Sequence, residues 1–106
     1  MIEWTPEQLR HRLTEQGPAP LILDVREPWE YALAHLPGAR LVPMGEIAAQ
    51  VDTLPRDREI VVVCHHGIRS RIVAAWLEKQ GFGKVINLTG GLDAWSLRVD
   101  PALPRY

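Results

Sequence analysis

Ile60-Val61-Val62-Val63-Cys64-His65-His66-Gly67-Ile68-Arg69-Ser70 is the stretch that decides how this chain folds. Its first four residues are β-branched with no polar alternate, the mark of a strand buried on both faces in the middle of a parallel sheet. The six-residue loop 64–69 follows, and Ser70 is placed to open a helix. In that helix Ile72, Val73, Trp76 and Leu77 are expected to share one face, with Gly81 in the position of a C-terminal cap.

The flanking sequence repeats this alternation of strand and helix. Downstream, Val85–Leu88 reads as a strand, Gly90-Gly91 as a turn and residues 93–97 as a last helical turn. Upstream, residues 21–25 read as a strand, and Pro28 starts a short helix, 28–34, that Pro37-Gly38 must end. Residues 39–42 form a weaker strand and residues 46–51 a brief helix. Thr5 is a helix cap, with Pro6 at the first helical position and Gln8 completing a capping box. Trp4 and Leu9 have the spacing of a hydrophobic staple. Leu9 and Leu13 are the expected inward stripe, and Ile2–Trp4 an edge strand. The whole pattern predicts an α/β fold with a mostly parallel sheet. With no repeat and no long linker, residues 1–106 read as one domain whose tail frays from about residue 100.

Composition excludes several classes of function. At 46% hydrophobic residues the chain is not disordered, and its longest apolar run, 72–77, is far short of the roughly 18 residues that span a bilayer. Residues 1–12 mix acids, bases and helix-start residues and show no signal peptide, so a cytoplasmic setting is expected. Twelve Lys and Arg against thirteen Asp and Glu give a net charge of -1, which attracts neither nucleic acid nor anionic lipid. One cysteine makes no internal disulfide and no multi-cysteine zinc site.

Chemistry is expected at Cys64. In an open parallel sheet, ligands bind beyond the carboxyl ends of the strands, where loops meet helix N-termini. Cys64 ends the most buried strand, and Gly67 supplies the backbone freedom for a loop curled inward around one anion. An ordinary thiol, with a pKa of about 8.5, is only about 3% ionised at pH 7. Two units of depression need roughly 2.7 kcal/mol, more than a helix N-terminus alone supplies, so converging amides must contribute. From residue 60 to 77 there is no acid, while Arg69, Arg71, His65 and His66 occur; the expectation is a local cationic patch that draws a small anion.

Four ordered signatures then resemble the single-domain rhodanese family of sulfurtransferases. They are Asp24-Val25-Arg26-Glu27, then Glu30-Tyr31 with His35-Leu36-Pro37-Gly38-Ala39, then Cys64-His65-His66-Gly67-Ile68-Arg69-Ser70, and finally Leu88-Thr89-Gly90-Gly91-Leu92-Asp93-Ala94-Trp95. The resemblance implies a five-stranded parallel sheet with helices on both faces. It makes Cys64 the sulfur-carrying nucleophile, puts Arg69 in its loop and Arg26 near it, and makes the Gly90-Gly91 turn and Trp95 structural. Family members usually carry Gly just before the segment at His35; here Ala34 and Leu36 stand around it, and His35 is given the duty of holding that loop.

The implied reaction is two-step thiol exchange through a Cys64 persulfide, from a small anionic sulfane donor such as thiosulfate to cyanide, a thiol or a protein cysteine. Arg69 is expected to steer the donor, with His65, His66, Gly67, Ile68 and Ser70 lining the loop and Arg26 nearby. No metal or organic cofactor is called for. Two rivals remain. A cysteine phosphatase or arsenate reductase places Arg six positions after the nucleophile, where this chain has Ser70. A rhodanese-like interaction module would keep the fold for protein contacts alone.

Overall fold

A computed structural model describes residues 1–106. Strands β1 (Ile2–Trp4), β2 (Leu21–Asp24), β3 (Arg40–Leu41), β4 (Ile60–Val63) and β5 (Val85–Leu88) form one parallel sheet in the order β1-β5-β4-β2-β3. Helices α1 (Pro6–Thr14), α2 (Pro28–Leu33), α3 (Ile47–Gln50), α4 (Ile68–Lys79) and α5 (Gly91–Arg98) alternate with them, and single 3-10 turns flank α3. No helix is long and apolar enough to cross a membrane.

The central strand β4 is fully buried, and its alternate residues feed two cores. Ile60, Val62 and Cys64 pack with Ile47 of α3 and Val73, Ala74 and Leu77 of α4. Val61 and Val63 pack on the other face with Leu9 of α1 and Leu92 and Trp95 of α5. Helices therefore cover both faces, and the period of two sends the Cys64 side chain to the α4 side. The capping box at Thr5 forms as expected, with Gln8 N donating to Thr5 Oγ1 at 3.1 Å and Thr5 N to Gln8 Oε1 at 2.8 Å.

Three expectations are corrected. Helix α4 opens at Ile68 and not at Ser70, because left-handed Gly67 (φ +92°) takes the cap position and Ser70 lies inside the first turn. Its inward face is Ser70-Val73-Ala74-Leu77, which leaves Ile72 54% exposed one step round the helix. Leu13 likewise stays 41% exposed, since α1 is buried through Pro6 and Leu9. The C-terminal tail packs back over the domain. Ser96 Oγ donates to Leu103 O, Arg105 pairs with Asp93 at 2.9 Å, and the Tyr106 ring lies against His65 with centroids 4.2 Å apart.

Candidate active site

Cys64 is 1% exposed at the end of β4, and three groups meet its sulfur. Gly67 N donates to Sγ at 3.1 Å, Ser70 N donates at 3.3 Å, and Ser70 Oγ lies 3.3 Å away. Gly67 reaches this position only through its positive φ, which an L side chain adopts at a cost of about 1–2 kcal/mol. The first turn of α4 adds its dipole at the same point.

The loop is clamped from behind by the start of α5. Leu92 N donates to Cys64 O at 2.9 Å and Asp93 N to His65 O at 3.0 Å. This approach needs Gly91, where a Cβ would overlap the backbone of Cys64 and His65. The Gly90-Gly91 pair, read from sequence as a turn, thus shapes the Cys64 loop itself.

Two partners escaped the sequence reading. Asn87, wholly buried on β5, accepts from Ser70 Oγ at 2.5 Å and donates through Nδ2 to Glu3 Oε1 at 2.7 Å and Gly67 O at 3.3 Å. An amide inside an otherwise apolar strand, Val85-Ile86-Asn87-Leu88, was the available signal, since a buried polar group needs a partner. Tyr106 is the other: its hydroxyl donates to Glu30 Oε2 at 2.7 Å and accepts from Arg26 Nη1 at 2.9 Å.

The expected cationic patch is neutralised by acids brought from elsewhere in the chain. Arg69 makes a bidentate pair with Glu30 at 2.7 and 2.9 Å, which pulls the Glu30 pKa down to about 2 and raises that of Arg69. Arg71 pairs with Glu3 at 3.0 Å. Arg26 is 0% exposed, and all five of its side-chain N–H groups are engaged, by Asp24, the carbonyls of Glu30 and Ala34, and Tyr106. Burial alone would lower its pKa, but the hydrogen bonds to Asp24 and Tyr106 prevail and raise it. Arg26 therefore holds the β2–α2 corner together and keeps no donor for a ligand.

A cavity of about 280 Å³ opens beside the sulfur, lined by Cys64, His65, His66, Ile68 and Arg69. Burial, and after it the neighbouring His66, lowers the His65 pKa. His66 is exposed, with Nε2 3.7 Å from Asp93 Oδ2. Donor atoms of His65, His66 and Asp93 lie within 4.8 Å of one another, the one grouping whose chemistry suits a metal ion, although Asp93 is already tied to Arg105. His35 packs its ring on Tyr31 and meets Tyr31 O at 2.8 Å, away from the sulfur.

A family model described as rhodanese-like domain matches residues 5–98. The chain belongs to the rhodanese-like domain family. Among rhodanese-like relatives, a sulfurtransferase of Allochromatium vinosum is 39% identical over 90 residues, covering 85% of this chain and 83% of that protein. The rhodanese-like/PpiC domain-containing protein 12, chloroplastic, of Arabidopsis thaliana is 44% identical over 89 residues, 80% of this chain. The chain spans only 30% of that protein's length. The crystal structure of a rhodanese-like domain protein from Staphylococcus aureus superposes with a TM-score of 0.86 at 32% identity, covering 100% of this chain and 99% of that one.

Proposed function

We propose that this protein is a sulfurtransferase that carries sulfane sulfur on Cys64 as a persulfide. The observation that carries this reading is the convergence of Gly67 N, Ser70 N and Ser70 Oγ on one sulfur beside an open cavity. The sulfurtransferase name of a relative aligned over most of its length supports the same class of chemistry.

The Cys64 thiolate attacks the outer sulfur of a donor. With thiosulfate the S–S bond breaks and sulfite departs with the bonding pair; with a persulfide RS–SH the thiolate RS⁻ departs. Thiosulfate leaves Cys64–S–S⁻ directly, and a persulfide leaves Cys64–S–SH, which passes its proton to RS⁻ or water to give the same terminal anion, stabilised by the loop N–H groups. A thiophilic acceptor, cyanide or a thiol, then attacks that terminal sulfur and releases the Cys64 thiolate.

The phosphatase reading is disfavoured. The residue six positions after Cys64 is Ser70, buried with its hydroxyl against the sulfur and Asn87, and the adjacent Arg69 is closed onto Glu30. The guanidinium that lines the cavity, Arg69, is ion-paired with Glu30, which offsets its charge toward an oxyanion. Intact-mass measurement after donor exposure tests the proposal. The wild type gains one sulfur atom, reversed by cyanide, and Cys64→Ser gains none; sulfur transfer persisting in Cys64→Ser would overturn it.

A further inference from the structure

Resting on the sulfur-transfer reading, we infer that Glu30 is a specificity-determining residue: by closing the Arg69 guanidinium it biases sulfur uptake toward alkyl persulfides and away from dianionic thiosulfate. The geometry at the mouth carries the inference. Glu30 sits on α2 with its side chain only 5% exposed, and its two oxygens take Nη1 and Nη2 of Arg69. Tyr106 Oη donates to the same carboxylate, and Glu27 N donates to it at 3.0 Å, so the carboxylate is anchored on three sides. The one arginine lining the cavity is thereby matched by a fixed negative charge, in the bidentate geometry that holds an Arg–carboxylate pair most firmly.

The other charges near the loop are matched in the same way. Arg26 pairs with Asp24, Arg71 with Glu3 and Arg105 with Asp93, while His66 faces Asp93. What the cavity offers an incoming donor is the exposed side chain of Ile68, imidazole edges, the N–H groups at the sulfur, and an Arg69 whose charge is already matched by Glu30.

Donor charge decides what that environment favours. Thiosulfate brings two negative charges to a thiolate, and without an unpaired cation their mutual repulsion is met only by backbone dipoles. An alkyl persulfide in its RS–SH form brings no charge to the reacting sulfur, and the exposed Ile68 side chain lining the cavity suits its carbon chain. The exchange balances in both cases: Cys64–S⁻ with S–SO3²⁻ gives Cys64–S–S⁻ and SO3²⁻, and Cys64–S⁻ with RS–SH gives Cys64–S–SH and RS⁻.

The test is the ratio of kcat/KM for thiosulfate to kcat/KM for 2-hydroxyethyl persulfide, an alkyl persulfide with no charged group on its carbon chain, with cyanide as acceptor throughout. Glu30→Gln keeps an acceptor for Glu27 N while removing the charge that holds Arg69, and the ratio should rise at least about tenfold. The double variant E30Q/R69Q replaces one neutral pair with another, and its ratio should return to within about twofold of wild type. This pair leaves no unmatched charge at a nearly buried position, so it reports even where Glu30→Gln alone folds poorly. A ratio that stays level or falls in Glu30→Gln would overturn the inference, and one that falls tenfold or more in the double variant would overturn it by showing that Arg69 serves thiosulfate directly. Wild-type protein that takes sulfur from neither donor would instead overturn the sulfur-transfer reading.

Discussion

Replacing Gly67 by alanine tests whether backbone geometry, more than any side chain, makes the site. Gly67 holds φ at +92°, where a Cβ costs about 1–2 kcal/mol. That Cβ would also stand 3.0 Å from Gly90 N and 3.1 Å from Leu88 O, backbone atoms of the turn that clamps the loop. Because the turn is fixed by Leu92 N on Cys64 O and Asp93 N on His65 O, the displacement falls on Gly67 itself, whose N–H meets Sγ at 3.1 Å. A hydrogen bond to an anion contributes about 1.5–3 kcal/mol, so its loss slows sulfur uptake about ten- to a hundredfold. The strain alone lowers the melting temperature by roughly 5–15 °C for a domain of this size. Thermal unfolding followed by circular dichroism, and single-turnover sulfur uptake followed by mass spectrometry below both transitions, measure the two effects. Gly45→Ala is the control: nothing lies within 4 Å of its Cβ, and stability should hold within about 0.5 kcal/mol. Gly67→Ala protein that melts with the wild type and takes up sulfur at its rate would refute the reasoning.

Asp24→Asn leaves the buried Arg26 without its anion and should destabilise the fold by about 3–5 kcal/mol in urea unfolding; a cost under about 1 kcal/mol would contradict the structural role given to Arg26. Glu30 is held at a pKa of about 2 against an ordinary 4.5, chiefly by Arg69. A depressed carboxylate adds stability that is complete above the unfolded value and lost as pH falls through the folded one, on the order of 3 kcal/mol here. Acid unfolding between pH 4.5 and 2 should therefore be steeper in wild type than in Glu30→Gln, and equal slopes would count against the pair. The His65 imidazole should titrate below 6.5 by NMR because burial and His66 both oppose its charge. His66→Asn should move that midpoint upward, and a midpoint that stays in place would remove the coupling.

The elements that carry their own local signal were legible in the sequence. The unbroken β-branched run of β4, the Thr5 capping box and the left-handed glycine after α4 are decided within a few residues. The position of Cys64 at the strand end follows from the same local pattern. What the sequence hid was charge matching at long range. Arg69 and Glu30 are 39 positions apart and Arg71 and Glu3 are 68, so a run free of acids looked cationic until the sheet order brought β1 and α2 beside it. Ile72 misled for a simpler reason: apolar neighbours in sequence were assigned one helix face, while burial follows Ser70, whose hydroxyl is satisfied by Asn87.

The most direct test of the account is to follow the Gly67 and Ser70 amides by NMR as Cys64 is ionised and then converted to the persulfide. If these N–H groups hold the sulfur anion, both amide protons move downfield in each step, and both responses vanish in Cys64→Ala. Amides that do not respond to the charge on Cys64 would contradict the claim that the loop backbone stabilises it.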